Sequence, residues 1–408
     1  MYLCIVKNEY IMALLERKQY VYQLDIWRDK QVVKVITGLR RSGKSTLLTL
    51  FQQHLLSQGI DESHIISVNF EDVDSEPLQE YHSLYRYVVD KMVDSKMYYI
   101  FFDEVQAVPQ FEKTIDSLQL KPNADIYVTG SNAHLLSGEI ATLLSGRYVE
   151  IHILPLSFSE MLEASKLSLE RCYNRYITST TLPYVLQLPN DEAIRIYLQN
   201  IYQTVVIKDV MTRGNLNDAD LLDRLVRYLA DNIGNLISIK GISDAITSSG
   251  RSVSPHTIDN YVRLLTESYL FYRVPRFDAK GKELLRSGQK YYLSDVGLRN
   301  MLLGLRSGDL GRLLENVVYL HLMREGDKVM VGKVGTNEID FVRFRNNMTE
   351  YYQVALTVRE ESTLKRELSS LKALHDNHPK YLLTMDPDPV INHDGIQQIY
   401  VLDWLCKQ

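Results

Sequence analysis

Apolar residues in the first part of this chain fall in short dense runs separated by helical stretches. Val32, Val33, Val35 and Ile36 form a β-branched run of the kind that makes a buried parallel strand. HIISVNFED (64–72), MYYIFFDEVQ (97–106), ADIYVTGSN (124–132) and YVEIHIL (148–154) repeat the pattern. Apolar spacing of three and four predicts helices over 9–29, 46–57, 78–93, 110–119 and 134–145. Strands alternating with helices over short loops specify an α/β layer with a parallel sheet.

From residue 160 to 235 the period is helical almost throughout. After 236 a helix is followed by a turn at Gly250–Ser254 and a second helix with Ser254 at its N-cap and Pro255 at its first position. Two strands, LFYRVPRF and QKYYLSDV, then flank AKGKELLRSG, and helix, turn, helix and hairpin together read as winged-helix-like. The remainder reads as a helix (312–325), strands KVMVGKV, NEIDFVRF and YYQVALTV, a helix (361–376), and strands KYLLTMD and IQQIYVLDWL. The expected boundaries are 1–159, 160–235, 236–300 and 301–408.

The loop after the first strand carries the chemistry. Gly38-Leu39-Arg40-Arg41-Ser42-Gly43-Lys44-Ser45 matches G-x-x-x-x-G-K-[ST] in strand–loop–helix context. Glycines let backbone N–H groups wrap a phosphate, and a helix N-terminus adds its positive end. Gly38, Arg40, Arg41, Ser42, Gly43, Lys44, Ser45 and Thr46 are therefore candidate nucleotide contacts. Lys44 would reach the β/γ-phosphates and Ser45 would join a Mg²⁺ shell. The run YYIFF enters Asp103-Glu104, and adjacent acids at the carboxyl end of a buried strand are costly unless they serve a cation. Asp103 would hold Mg²⁺ and Glu104 would polarise the attacking water. Thr129, Ser131 and Asn132 stand where a strand end would meet the γ-phosphate or its water, or would simply cap the strand.

The ordered set GLRRSGKST, YIFFDEVQ, VTGSN, LLSGRYVEI and LPLSFSEM resembles the AAA-type ATPase domain of a prokaryotic family whose C-terminal domain is known as DUF4143. The resemblance implies ATP as the nucleotide and a helical lid over 160–235, with Arg195 or Arg213 completing the site. It also implies that Arg147 senses nucleotide charge, although by residue type alone Arg147 could equally be a surface arginine. AAA-type proteins often assemble into rings, so an oligomer is open.

The α-β-β-β-α-β order of the last hundred residues resembles the restriction-endonuclease core, with Glu315 and Asp340 at its first two carboxylate positions. Its E-x-K element reads Gln353-Val354-Ala355. An amide is a poor ligand for a hard cation, and alanine supplies no ammonium. Glu361 or Lys365 could be a relocated group, but the expected state is a nuclease-like fold whose metal site is lost.

Composition narrows the rest. The 408 residues carry a net charge of −5 with 45% hydrophobic content, so nucleic-acid binding would need a local patch. Arg273, Arg276, Lys280, Lys282, Arg286 and Lys290 on the hairpin supply one, against Asp278 and Glu283. Cys4, Cys172 and Cys406 are too scattered for a zinc quartet or a disulfide framework. Lys7, Glu9 and Glu16 interrupt any signal-peptide pattern, and no apolar run is long enough to span a membrane, so a cytoplasmic protein is expected. The leading function is Mg²⁺-dependent ATP hydrolysis that drives or gates a DNA or protein interaction of the C-terminal domain. A slow-turnover ATP switch and an ATP-dependent nuclease are the alternatives.

Overall fold

A computed structural model of the chain describes residues 15–130, 146–281, 283–325, 328–345 and 348–407. The expected 134–145 helix and most of the segment before α1 lie outside them. Contacts divide the chain into two compact units. One holds the residues up to Thr37 together with Gly43–Ile153, and the other Gly38–Ser42 together with Leu154 onward.

The first unit is built from α1 (Lys18–Ile26), β1 (Val33–Thr37), α2 (Lys44–Ser57), β2 (Ile65–Asn69), α3 (Tyr81–Lys91), β3 (Tyr98–Asp103), α4 (Phe111–Gln119), β4 (Ala124–Thr129) and β5 (Tyr148–His152). The strands form a five-stranded sheet in the order β2-β3-β4-β1-β5, every neighbouring pair parallel. Alternate residues of a strand face opposite sides, and both sides are covered here. Val33, Val35, Ile100, Phe102 and Val128 pack with Leu84 and Val88 of α3 and Ile115 and Leu118 of α4. Ile36, Phe101 and Tyr127 pack with Leu47, Leu48, Phe51 and Leu55 of α2 and Tyr20 and Leu24 of α1. Two-sided burial is why these strands read as continuous apolar runs. The P-loop strand and the acidic strand are separated by β4, so loop, acids and the end of β4 all meet at one carboxyl edge.

The second unit opens with α5 (Phe158–Ser165), α6 (Leu169–Thr178), α7 (Asp191–Ile201), a π-helical turn (Tyr202–Ile207), α8 (Lys208–Gly214) and α9 (Ala219–Asp231). Ser157 and Glu160 close a reciprocal capping box at the start of α5. Next come α10 (Ile239–Ser248), α11 (Pro255–Glu267), β6 (Phe271–Asp278) and β7 (Glu283–Leu293). Ser254 caps α11 through the Thr257 amide, with Pro255 at the first position as the sequence indicates. An antiparallel bridge joins Ile237 to Gln289.

The chain continues as α12 (Val296–Leu303), α13 (Leu310–Met323), β8 (Lys328–Val334), β9 (Asn337–Arg345), β10 (Met348–Ala355), α14 (Glu361–Lys372), β11 (Lys380–Thr384), β12 (Ile391–His393), β13 (Ile396–Tyr400) and α15 (Val401–Cys406). The hairpin does not stand free as a wing. It forms one edge of an eight-stranded mixed sheet, β12-β13-β11-β10-β9-β8-β6-β7, because Arg276–Asp278 of β6 pair in parallel with Val331–Lys333 of β8. The run IQQIYVLDWL, expected as one strand, bends at Tyr400 into α15, since a short apolar run does not by itself separate strand from helix.

Candidate nucleotide site and the carboxylate cluster of the second sheet

The P-loop leaves β1 at Thr37 and turns through positive φ at Gly38 (144°), Arg41 (69°) and Gly43 (99°). Glycine meets this without strain at two of the three positions, whereas a non-glycine residue there is uncommon. Gly43 is the N-cap of α2 and offers no side-chain cap. A glycine-bounded loop running into a helix N-terminus is the arrangement that binds phosphate. Lys44, at the first position of α2, is buried.

Asp103 ends β3 and is 7% exposed. Thr129, at the end of β4, donates its hydroxyl to Asp103 Oδ1 at 2.5 Å and accepts the Glu104 amide N–H at 2.8 Å. Glu104 itself is left-handed, φ 54°, which turns its side chain out of the strand. Its Oε1 lies 3.8 Å from Lys44 Nζ, and Gln106 Nε2 donates to its Oε2. Asp103, Glu104, Thr129 and Lys44 therefore converge.

Parallel pairing of Thr37 with His152 adds a group the sequence reading missed. Thr37 Oγ1 donates to Glu150 at 2.5 Å and lies 3.0 Å from His152 Nδ1. Burial first, and then the Lys44 ammonium, hold the His152 imidazole well below its ordinary pKa, so it is neutral near pH 7, though 20% of the side chain is exposed. Only the β1–β5 register could have revealed this trio.

Other expected contacts lie elsewhere. Ser45 is exposed and Thr46 half-buried on the first turn of α2, and Ser131 and Asn132 lie outside the described residues. Arg147 precedes β5, whose first residue pairs with Val33 while its last pairs with Thr37. A five-residue strand spans roughly 13 Å between its end residues, so Arg147 stands at the sheet edge opposite the P-loop, its guanidinium 2.9 Å from Asp116. It is thus far from the P-loop of its own chain. Arg40 NH1 donates to Asp209 Oδ2 of α8 at 2.8 Å, and Arg213 approaches the same oxygen at 3.4 Å. Arg195 is exposed on α7.

In the second sheet Glu315 of α13 and Asp340 of β9 do come together, as the sequence order implies. Lys290 of β7 lies between them. Its Nζ is 2.8 Å from Glu315, 2.7 Å from Glu338 and 3.7 Å from Asp340. Lys290 is only 3% exposed, which removes it from the expected DNA-facing patch: its strand lies in the sheet and its ammonium points inward. Arg273 and Lys280 are exposed and Arg276 is half-buried, while Lys282 and the Arg286 side chain lie outside the described residues. Gln353 donates to Glu367 at 2.9 Å. The suggested relocated groups, Glu361 and Lys365, instead pair with each other on the surface of α14.

A family model described as an AAA domain matches residues 30–162, and a second, a domain of unknown function named DUF8612, matches 170–309. The DUF4143 domain that the resemblance implied for 301–408 is not shown, and the second match lies largely over a different stretch. An uncharacterised protein of Haemophilus influenzae is 37% identical over 403 residues, 97% of this chain and 99% of that protein. The chain belongs to that family. An uncharacterised protein of Methanocaldococcus jannaschii is 29% identical over 394 residues, 91% of this chain and 85% of that one. Among solved structures, the Orc1 protein of Aeropyrum pernix in complex with DNA is 13% identical, with a TM-score of 0.31 over 73% of this chain and 94% of that one. A likeness that weak carries no functional weight. The N-terminal part of this family's chain is an AAA-type P-loop domain of α/β fold, and no helix among the described residues is long and apolar enough to cross a membrane.

Proposed function

We propose that the protein binds ATP with Mg²⁺ and hydrolyses it, and that the nucleotide state gates a C-terminal module which engages DNA or a protein partner without cutting. The observation that carries this reading is the convergence of Lys44, Asp103, Glu104 and Thr129 at one carboxyl edge of the parallel sheet. The P-loop amides and Lys44 hold the β/γ-phosphates, with Arg40 and Arg41 beside them, and Glu104 orients the attacking water. Ser45 and Asp103 offer only oxygen donors, the set that suits Mg²⁺. When bound, the ion would neutralise charge on the phosphate oxygens. In this reading 1–159 is the ATPase core, 160–235 its lid, and 236–300 a helix–turn–helix segment whose hairpin joins the sheet of the nuclease-like domain 301–408.

Lys44→Ala should abolish ATP binding. Glu104→Gln should keep binding and lose turnover by about 10²–10⁴-fold, the usual weight of a general base. Phosphate release that is undiminished in both variants would sink the assignment. Duplex-DNA binding through Arg273, Arg276 and Lys280 would weaken steeply as salt is raised; no salt-dependent binding, with or without ATP, leaves a protein partner.

A slow-turnover switch is the second reading. Glu104 is engaged by both Lys44 and Gln106, so the base has to be re-aimed before each turnover. Single-turnover and steady-state rates, compared on the same preparation, separate a fast ATPase from a switch.

A further inference from the structure

Three carboxylates from two elements of the C-terminal sheet meet one ammonium brought by a third: Glu315 from α13, Glu338 and Asp340 from β9, and Lys290 from β7. We propose that Lys290 is a built-in cation, occupying the place of a divalent ion in this cluster and keeping its carboxylates from binding metal. Removing that one positive charge would then create a metal site. The inference refines the non-cutting reading of the C-terminal module and is independent of the ATPase.

The distances identify the occupant. Contacts of 2.7 and 2.8 Å are those of a charge-assisted N–H···O bond, and the ammonium has only three protons to give. A magnesium ion would need oxygens at about 2.0–2.1 Å and calcium at about 2.3–2.6 Å, so neither shares the position with Nζ. Two of the carboxylates carry a further donor. Glu315 Oε1 accepts the Tyr292 hydroxyl at 2.5 Å, and Asp340 Oδ2 accepts the Val354 amide at 2.8 Å. Among the described residues no group of three or more His, Cys, Asp or Glu is arranged to hold a metal ion: these carboxylates are spaced around the ammonium, and a metal site forms only when they draw together in its absence. The surrounding acids keep the lysine charged. Burial works against the Lys290 charge, but Glu315, Asp340 and Glu338 outweigh it and hold its pKa above the ordinary value. Burial and then Glu315 push the Asp340 carboxyl upward.

A lysine that orients water in a nuclease works beside a metal held by carboxylates. Here the lysine takes the carboxylates itself. Position 353, where such a centre needs an acid, holds an amide bonded to Glu367. The cluster therefore joins the β6–β7 hairpin to α13 and β9 as a hydrogen-bonded network around a buried ammonium, with Glu338 partly exposed, and loss of that ammonium would leave carboxylates facing each other with no counter-charge.

The test uses the full chain without nucleotide and Mn²⁺ as the probe, read as loss of the free-ion electron paramagnetic resonance signal. Wild type and Lys290→Arg should leave that signal unchanged. Lys290→Met should deplete it, and the Lys290→Met/Asp340→Asn double variant should restore it, while ATP turnover stays at the wild-type level in all of them. Folded Lys290→Met that binds no Mn²⁺ overturns the proposal, as does wild-type binding that Asp340→Asn abolishes. If Lys290→Met does not fold, wild type and Lys290→Arg decide: both metal-free supports the lock, and Asp340-dependent binding by either refutes it. Mn²⁺-dependent DNA cutting by wild type, lost in Asp340→Asn, would separately refute the non-cutting reading.

Discussion

Thr129 holds Asp103 in place: its hydroxyl donates to Oδ1 at 2.5 Å, and the same oxygen accepts the Glu104 amide at 2.8 Å. One side chain on β4 thus fixes both acids at the end of β3. Thr129→Val deletes the hydroxyl but keeps the shape. It should lower ATP turnover about tenfold, the equivalent of ~1.4 kcal/mol, with little change in ATP affinity, and Thr129→Ser should restore most of the loss. Phosphate-release kinetics over a range of ATP concentrations check this; unchanged turnover in Thr129→Val would remove Thr129 from the machinery.

Lys34 and Asp125 form an ion pair in the interior of the first sheet, both side chains essentially unexposed. Asp125 also accepts the Tyr127 hydroxyl at 2.8 Å and the Asp29 amide at 2.9 Å. Burial lowers the lysine pKa and raises that of the aspartate against the attraction between them, so the pair adds little net stability while each partner needs the other. Asp125→Ala should cost about 3–5 kcal/mol, and the Lys34→Met/Asp125→Leu double variant should recover most of it. Urea titrations of both would show this; a single variant as stable as wild type contradicts it.

His321 packs 4.4 Å from the Trp404 ring. Burial, followed by Arg324 and Arg343, pushes its pKa down to about 3. The folded chain keeps the imidazole neutral while the unfolded chain takes up a proton near pH 6.5. Its contribution is therefore complete above about pH 6.5 and is lost as pH falls toward 3, by about 1.4 kcal/mol per pH unit. The stability difference between wild type and His321→Leu should move by roughly 2 kcal/mol between pH 7 and pH 5. A difference constant with pH would show that folding leaves the imidazole pKa where it is in the unfolded chain.

Arg40 is tied to Asp209 at 2.8 Å, with both side chains partly exposed. An exposed pair is worth about 0.2–1 kcal/mol, so releasing the guanidinium should raise ATP affinity by no more than about fivefold. Under the proposed function Asp209→Ala tightens binding and Arg40→Ala weakens it. Fluorescent-nucleotide titration gives the signs, and equal signs would mean that Arg40 does not face the phosphates.

The features legible in the sequence were local. Gly38 to Ser45 and Asp103-Glu104 are contiguous motifs, and each stands at the predicted strand end. Ser254-Pro255 marks a helix start because capping uses neighbouring residues. What the sequence hid depends on pairing between distant strands. His152 is invisible until β5 is placed beside β1 with Thr37 opposite it. Arg147 could not be placed until the same register put it at the far end. Lys290 looked like one charge in a basic hairpin, because local counting says nothing of Glu315, Glu338 and Asp340 behind it. Thr129 was correctly put at the strand end, but its bond to Asp103 needed β3 and β4 side by side.

The π-helical turn Tyr202–Ile207 joins α7 to α8 without leaving the helix. Such a turn is the trace of one surplus residue inside an α-helix. Deleting that residue would return the segment to plain α-helix and keep Asp209 on the face that meets Arg40, because the wide turn absorbs the surplus locally. A deletion in the regular helix beyond it would instead turn the residues that follow by about 100°. The turn thus works as a slack link: a one-residue change of length in the lineage can be taken up there without moving the Arg40–Asp209 contact.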